Sequence, residues 1–194
     1  LADYVNYDEV NKFIRCNMVV ACGLDYRMLS DEQLVATLQT VHQHLVTPRG
    51  IRTLSPRNLL YKSNYNEDQR SQDLASRNGS AWIWPLMFYV KACFDLGGAN
   101  YVDEAKALLE DFDDELQAKC VGSISERFEG DPPYNPRGSV SHATSVGGLL
   151  YINSLIEKYS PKKPQRKCAK KSAPKAEVAE EKPKRKCVRK SVKK

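Results

Sequence analysis

The sequence contains no apolar run long enough to cross a membrane, no Gly-rich phosphate-binding loop and only three histidines. His42 and His44 lie two residues apart, so a helix would point them in different directions, and His142 stands alone. No Ser-His-Asp or Cys-His arrangement occurs either. We therefore expect no membrane segment, no metal and no cofactor, which leaves the carboxylates as the chemical groups to consider.

The cysteines form no Cys-x-x-Cys pair, and none has a histidine at the spacing of metal ligands. They are Cys16, Cys22, Cys93, Cys120, Cys168 and Cys187. Four fall in segments with helical periodicity, where a free cysteine acts as a small buried hydrophobe. This usage predicts a reducing, cytoplasmic setting. The chain starts at Leu1 without a methionine or a signal peptide, so we expect it to be a piece of a longer polypeptide.

The net charge of +6 is unevenly distributed along the chain. Residues 1–160 hold 15 Lys and Arg against 21 Asp and Glu, whereas residues 161–194 hold 15 against 3. The basic segment repeats "KPQRKCAKKS" as "KPKRKCVRKS" and has too few apolar residues to offset the entropy of ordering. We therefore predict a globular body, residues 1–159, and a disordered Lys-rich tail, residues 160–194.

Helical signals dominate the body. Ser30 and Gln33 form a capping-box pattern, and apolar residues at helical spacing behind them predict a helix that ends near Thr47. Further helices are predicted at about 17–24, 82–96, 102–116 and 140–159. Only Ile51–Leu54 has strand character, so the predicted fold class is all-α. The long polar connections, where binding sites commonly lie, span residues 47–80 and 122–139.

The loop "ISERFEGDPPYNPRGSVSHATS" at Ile124–Ser145 gathers three carboxylates within six residues. They are Glu126, Glu129 and Asp131. Glycoside hydrolysis uses two carboxyl groups on either side of the scissile bond, so we expect one loop to supply only one of them. The alternative is a solvated acidic loop without a catalytic role.

Aromatic and cationic residues form two further candidate clusters. Trp82 and Trp84 in "NGSAWIWPL" offer faces that stack on sugar rings, and the alternative for both is core packing. Arg52 in "GIRTLSPR" is followed by Asp68 and Asp73. Such groups either bond sugar hydroxyls or pair with one another, and composition alone leaves both alternatives open.

Several segments occur in the order and rough spacing of one known family. They are "TPRGIRTLSPRNLLY" at Thr47–Tyr61, "RNGSAWIWPL" at Arg77–Leu86 and "GSISERFEGDPPYNPRGSVSHATSVGGLL" at Gly122–Leu150. In addition, "RCNMVVACGLDYRMLS" at Arg15–Ser30 resembles the family's Arg-Pro-Asn-Gln segment. Over residues 1–159 the chain resembles the C-terminal part of the amylo-α-1,6-glucosidase domain of glycogen debranching enzymes.

The resemblance implies an (α/α)6 toroid, six helical hairpins around a central pocket, of which this chain would hold the C-terminal hairpins. The implied reaction is hydrolysis of α-1,6-linked glucose at a branch point of glycogen or limit dextrin, with inversion. Glu126 matches the acid of the family's Ser/Gly-x-Ile-x-Glu loop and would be the general base. The general acid would belong to the missing N-terminal part of the same enzyme, so we expect the chain alone to be inactive.

The resemblance also implies substrate-binding residues in the pocket. They are Trp82, Trp84, Asn78, Arg52, Asp131 and His142. The chain departs from the family where it has "RNGSAWIW" at Arg77–Trp84, in place of His-Gln-Gly-Thr-Val-Trp-Pro-Trp. It also has "SHATS" at Ser141–Ser145 in place of Ala-Gln-Ala-Trp-Ser, and Cys16 in place of a proline. These changes leave open a different α-glucan linkage or a degenerate copy.

Two other functions stay open at this point. The basic tail would bind nucleic acid or other polyanions with strong salt dependence, although it has no aromatic residues and no base-reading module. A catalytically inert carbohydrate-binding remnant is the second alternative. Deleting residues 161–194 separates the first alternative from hydrolysis, because only polyanion binding needs the tail.

Overall fold

The computed structural model describes residues 1–64, 68–118 and 120–161. Within these residues the chain is mostly helical with a few short strands, which confirms the predicted fold class. By its contacts, the body forms one unit over Leu1–Pro161. The predicted disorder of the tail and its polyanion binding concern residues 162–194, which lie outside the described residues.

Seven helices form within the described residues, where the sequence predicted five. They are α1 (Asn17–Gly23), α2 (Asp31–His44), α3 (Gln69–Asn78), α4 (Trp84–Gly97), α5 (Val102–Glu110), α6 (Asp113–Ala118) and α7 (Ala143–Tyr159), with a 3₁₀ turn at Gly98–Tyr101. The capping box at the start of α2 is confirmed. Ser30 Oγ accepts a hydrogen bond from the Gln33 backbone N–H at 3.3 Å, and Gln33 Oε1 accepts one from the Ser30 N–H at 3.1 Å.

Two helix boundaries differ from the prediction, and one helix was not predicted. The helix α4 begins at Trp84, because Trp82 belongs to a short strand. The single helix predicted over 102–116 is two helices, and Phe112, which is 1% exposed, is buried at the corner between them. The helix α3 was not predicted. Asp68 caps it by accepting a hydrogen bond from the Ser71 N–H at 2.9 Å.

The core lies around α4, which packs against α1 and α7, while α5 packs against α7. Gly23 permits the closest of these approaches, because a Cβ there would lie 2.6 Å from the Phe88 carbonyl oxygen of α4. The large side chains with the least exposure are Phe94, Phe112, Phe128, Leu45, Ile51, Leu54, Ile83, Leu86, Ile124 and Ile152. Burying each side chain of this size stabilises the fold by roughly 1.5–3 kcal/mol.

Short strands join the loops that connect the helices. The strands β1 (Tyr4–Asn6) and β2 (Glu9–Asn11) form a hairpin, and a five-stranded antiparallel sheet runs in chain order. Its strands are β3 (Val46–Thr47), β4 (Gly50–Arg52), β5 (Ala81–Trp82), β6 (Arg127–Phe128) and β7 (Pro136–Arg137). The expectation that strand character is confined to Ile51–Leu54 is therefore wrong. Strands of two or three residues show no sequence period, and long-range pairing forms them.

Candidate active site

The five-stranded sheet brings together the segments that the sequence singled out. Ile51 of β4 pairs with Trp82 of β5, and Ala81 of β5 pairs with Phe128 of β6. The loop with the prolines follows β6, and β7 after it pairs antiparallel with β6. Residues 31 and 47 positions apart in the chain therefore pair on neighbouring strands. Glu126 sits immediately before β6.

Glu126 is fixed through both its backbone and its carboxylate. Its N–H donates to the Ser139 carbonyl at 2.9 Å, and the Ser139 N–H donates to Glu126 Oε2 at 3.0 Å. Arg127 Nη1 donates to the other oxygen, Oε1, at 3.0 Å. The Glu126 side chain is 22% exposed, so water reaches it. A carboxylate has about four lone-pair sites, and these two bonds leave room for a water molecule as a further donor.

The loop passes Glu126 so closely that it requires a glycine. Gly138 has a φ of +75°, a conformation that side chains disfavour. A Cβ at this position would overlap Glu126 Oε2 and lie 2.8 Å from Glu126 Cδ. The carboxylate is therefore packed directly against the backbone of Gly138, which follows β7, and is bonded to the N–H of the next residue, Ser139.

Arg127 connects Glu126 to the aromatic cluster. Its guanidinium carbon lies 5.4 Å from the centroid of a Trp82 ring, and its Nη1 also lies 3.4 Å from Ser76 Oγ. The Trp82 Nε1–H in turn donates to the Ser76 carbonyl at 3.2 Å. The structure thus brings Glu126 and Trp82 into one cluster with α3, the helix that the sequence did not predict.

A cavity of about 310 Å³ opens beside this cluster. Its lining residues are Arg15, Cys16, Asn17, Thr53, Ser76, Arg77, Trp82 and Trp84. Arg127 contacts the lining residues Ser76 and Trp82, and Glu126 contacts Arg127. Arg15 shapes the cavity wall, because its guanidinium donates to the Arg77 carbonyl at 2.9 Å and to Asn78 Oδ1 at 3.0 Å. Both predicted tryptophans therefore border one cavity, and the predicted Asn78 is held at its edge.

Arg52 and Asp131 contact each other across the sheet. Arg52 Nε donates to the Gly130 carbonyl at 2.7 Å, and its Nη2 lies 3.7 Å from Asp131 Oδ1. The Tyr61 hydroxyl donates to the same Asp131 oxygen at 2.8 Å. Burial and this hydrogen bond raise the pKa of Tyr61 above its usual value, so the hydroxyl stays protonated and remains a donor. These contacts hold the loop in place.

Glu129 is a buried structural carboxylate. It is 7% exposed, and its Oε1 accepts from Arg137 Nη2 at 2.6 Å while its Oε2 accepts from Asn135 Nδ2 at 2.8 Å. Both oxygens are therefore used within the loop. Of the three acidic residues of this loop, Glu126 has the carboxylate that combines partial exposure with a position beside the tryptophan cluster.

The remaining predicted residues lie at helix starts. Trp84 begins α4 and contacts the Phe88 ring edge-on at 6.5 Å between centroids. His142 precedes α7, and its Nδ1 lies 2.7 Å from Thr144 Oγ1. The Ser145 hydroxyl of the same helix donates to the Glu126 carbonyl at 3.3 Å. The start of α7 is therefore tied to the Glu126 backbone, and no contact of the His142 side chain with Glu126 is seen in the described part of the chain.

Sequence reasoning missed two residues of this cluster. Arg127 directly follows Glu126, but nothing in the sequence pattern showed that it would turn toward Trp82. Ser76 lies on α3, whose few apolar residues hide its helical period. Arg15 had a signal, because it opens the "RCN" segment that resembles the family.

The described part of the chain holds neither a cluster of metal ligands nor a helix that could cross a membrane. Over residues 1–64, 68–118 and 120–161, no three His, Cys, Asp or Glu side chains gather as metal ligands would. Within the same ranges no helix has both the length and the apolar character that a membrane crossing needs.

Comparison with known proteins identifies the family. Residues 1–151 match the family described as amylo-alpha-1,6-glucosidase. The chain belongs to the amylo-α-1,6-glucosidase family. The match covers the helices from α1 into the first half of α7, the five-stranded sheet and the Glu126 loop. It supports a glycogen-debranching type of glycoside hydrolase domain acting on glucan. No curated protein matches the chain.

Proposed function

We propose that this chain is the C-terminal part of a glycogen-debranching glycoside hydrolase that cleaves α-1,6-linked glucose with inversion, and that Glu126 is its general base. The observation that supports this role is the placement of the Glu126 carboxylate. Two donors orient it, water reaches it, and it adjoins the cluster that borders the tryptophan-lined cavity.

The proposed mechanism needs an ionised carboxylate that removes a proton from water. As water attacks the anomeric carbon from the face opposite the leaving oxygen, Glu126 accepts its proton. Arg127 and the Ser139 N–H keep the carboxylate from turning away. A second carboxyl group must protonate the leaving oxygen from about 6.5–9.5 Å away in an inverting enzyme. We propose that it comes from another part of the (α/α)6 toroid.

Sugar contacts are proposed for the residues around the cavity. Trp84 and the exposed part of Trp82 offer apolar faces to a glucose ring. Asn78 offers polar atoms at the cavity edge beside them. The Arg52–Asp131 pair and His142 bond neighbouring parts of the chain, so we expect their substitution to affect loop order as well as sugar binding.

The test substitutes Glu126 by glutamine in the full encoded polypeptide. α-Glucosyl fluoride is the substrate of choice, because fluoride leaves without the protonation that a sugar alkoxide requires, so the base is tested apart from the general acid. Glu126→Gln keeps the side-chain volume and removes the proton acceptor. We expect turnover to fall at least about a hundredfold with maltose binding unchanged. The wild-type protein should release β-glucose first, as followed by NMR.

The matched control is Glu110→Gln, at the exposed end of α5. It makes the same chemical change outside the cavity and should leave turnover unaltered. Wild-type turnover in Glu126→Gln would contradict the proposed role and make Asp131, the more exposed of the other two carboxylates of the loop, the next to test. Release of α-glucose as the first product would contradict inversion.

A further inference from the structure

The Arg127 side chain contacts both the proposed base, Glu126, and the ring of Trp82. Its Nη1 bonds Glu126 Oε1 at 3.0 Å and approaches Ser76 Oγ at 3.4 Å, and its guanidinium lies over Trp82 at 5.4 Å. The side chain is only 12% exposed. We infer that Arg127 is a positioning residue for the general base, and that Trp82 serves the reaction partly by holding Arg127. This inference rests on the function proposed above.

A glutamate carboxylate needs two contacts to fix its direction. The side chain has three rotatable bonds, and the Ser139 N–H restrains only one oxygen. The bond from Arg127 restrains the other oxygen and so fixes the plane of the carboxylate. A general base contributes fully only when its lone pair points at the attacking water, and a misplacement of about 1 Å lowers the rate by about a hundredfold. Orientation by Arg127 should therefore affect kcat.

Trp82 and Ser76 hold the guanidinium in turn. The indole ring is itself fixed, because its Nε1–H donates to the Ser76 carbonyl at 3.2 Å. A cation over the face of a tryptophan is attracted to the ring, and a planar guanidinium combines this contact with directed hydrogen bonds. Because Arg127 lies over the ring, a glucose unit has less of the Trp82 surface available for stacking. The sequence alone suggested sugar stacking or core packing for Trp82, and not a contact with Arg127.

A lysine cannot reproduce these contacts. Its ammonium is a compact charge with no plane to lie on the indole, whereas the guanidinium bonds Glu126 while lying against Trp82. Arg127→Lys should therefore keep the charge and lose part of the orientation. Arg127→Met keeps most of the length and loses both the charge and the donors. The two variants separate the effect of charge from the effect of geometry.

The test compares kcat with KM for α-glucosyl fluoride in the full encoded polypeptide. We expect Arg127→Met to lower kcat about tenfold to a hundredfold with KM within about threefold, and Arg127→Lys to lie between Met and wild type. The control is Arg27→Met, which removes an exposed arginine paired with Asp31 and should change neither constant. A double-mutant cycle with Glu126→Gln adds the decisive readout, because Arg127→Met should have no further effect once the base is absent.

Each outcome of this test decides the inference. Three results for Arg127→Met would overturn the inference. A raised KM with unchanged kcat would make Arg127 a substrate contact, and a raised kcat would make it an obstruction. A loss of kcat as large in the Glu126→Gln background as in the wild type would make its role structural. If Arg127→Met does not fold, Arg127→Lys decides by the same kcat criterion, and wild-type kcat in that variant also overturns it. The proposed function fails separately, when Glu126→Gln itself turns over normally.

Discussion

Substituting Gly138 by alanine tests whether the loop backbone aims the Glu126 carboxylate. The added methyl group meets Glu126 Oε2 and Cδ, and that carboxylate cannot yield freely because Arg127 and the Ser139 N–H hold its two oxygens. Alanine also has to adopt the φ of +75°. The substitution therefore combines backbone strain with displacement of the proposed base.

The magnitude follows from separating these two effects. A left-handed backbone costs a non-glycine residue about 1–2 kcal/mol, and overpacking adds about 1–3 kcal/mol. Gly122 supplies a matched control, since its φ is +78° and a Cβ there meets nothing within 4 Å. Gly122→Ala should lower the free energy of unfolding by the strain alone. Gly138→Ala should cost about 2–5 kcal/mol in all.

The assay pairs urea unfolding with turnover of α-glucosyl fluoride. We expect Gly138→Ala to lower kcat about tenfold or more, because the added methyl group displaces the Glu126 carboxylate from the orientation that catalysis needs. Gly122→Ala should keep wild-type kcat. The comparison is made on folded protein, well below the unfolding midpoint of each variant. Equal stability and equal kcat in the two alanine variants would refute the argument that Gly138 positions Glu126.

Two further predictions concern one buried and one half-buried ionisable group. Glu129→Gln should lower the free energy of unfolding, measured in urea, by about 1–3 kcal/mol. The loss is smaller than for a fully buried ion pair because the Arg137 side chain is 36% exposed. A loss no larger than that of Arg27→Gln, which breaks an exposed pair, would contradict this prediction. Burial raises the pKa of the Cys93 thiol to about 11. Its alkylation by iodoacetamide, followed by peptide mass spectrometry, should therefore be slow at pH 7 and accelerate up to about pH 11. Alkylation of Cys93 at pH 7 at the rate of free cysteine would contradict this prediction.

The helices were predictable where local signals were strong. The capping box of α2 and the apolar spacing of α4 and α7 are properties of adjacent residues. The break between α5 and α6 was not predictable, because the apolar stripe continues across it without glycine or proline, and burial of Phe112 turns the chain. The helix α3 is so polar that only its cap, Asp68, marked it.

The site was predictable as a set of segments but not as a set of contacts. The sequence singled out Glu126 and both tryptophans, yet it could not show which loops would pair as strands. Strand pairs of two residues depend on contacts between residues far apart in the chain, and so does the placement of Arg127 over Trp82. The predicted roles of Arg52 and Asp131 in sugar binding must now be weighed against the pair that they form with each other.

Some residues in the segments that resemble the family are needed for the fold. Gly79 and Gly130 both fall in matching segments, and neither has room for a side chain. A Cβ on Gly79 would lie 2.5 Å from the Lys62 carbonyl carbon, and one on Gly130 would lie 2.5 Å from the Tyr61 hydroxyl and overlap the Gly79 carbonyl. Because they lack a side chain, these glycines let the loops of the sheet approach one another closely. We expect a substitution at either glycine to separate the loops and disturb the whole site. The proposed catalytic role is therefore tested at Glu126 and Arg127, whose changes leave these close approaches intact.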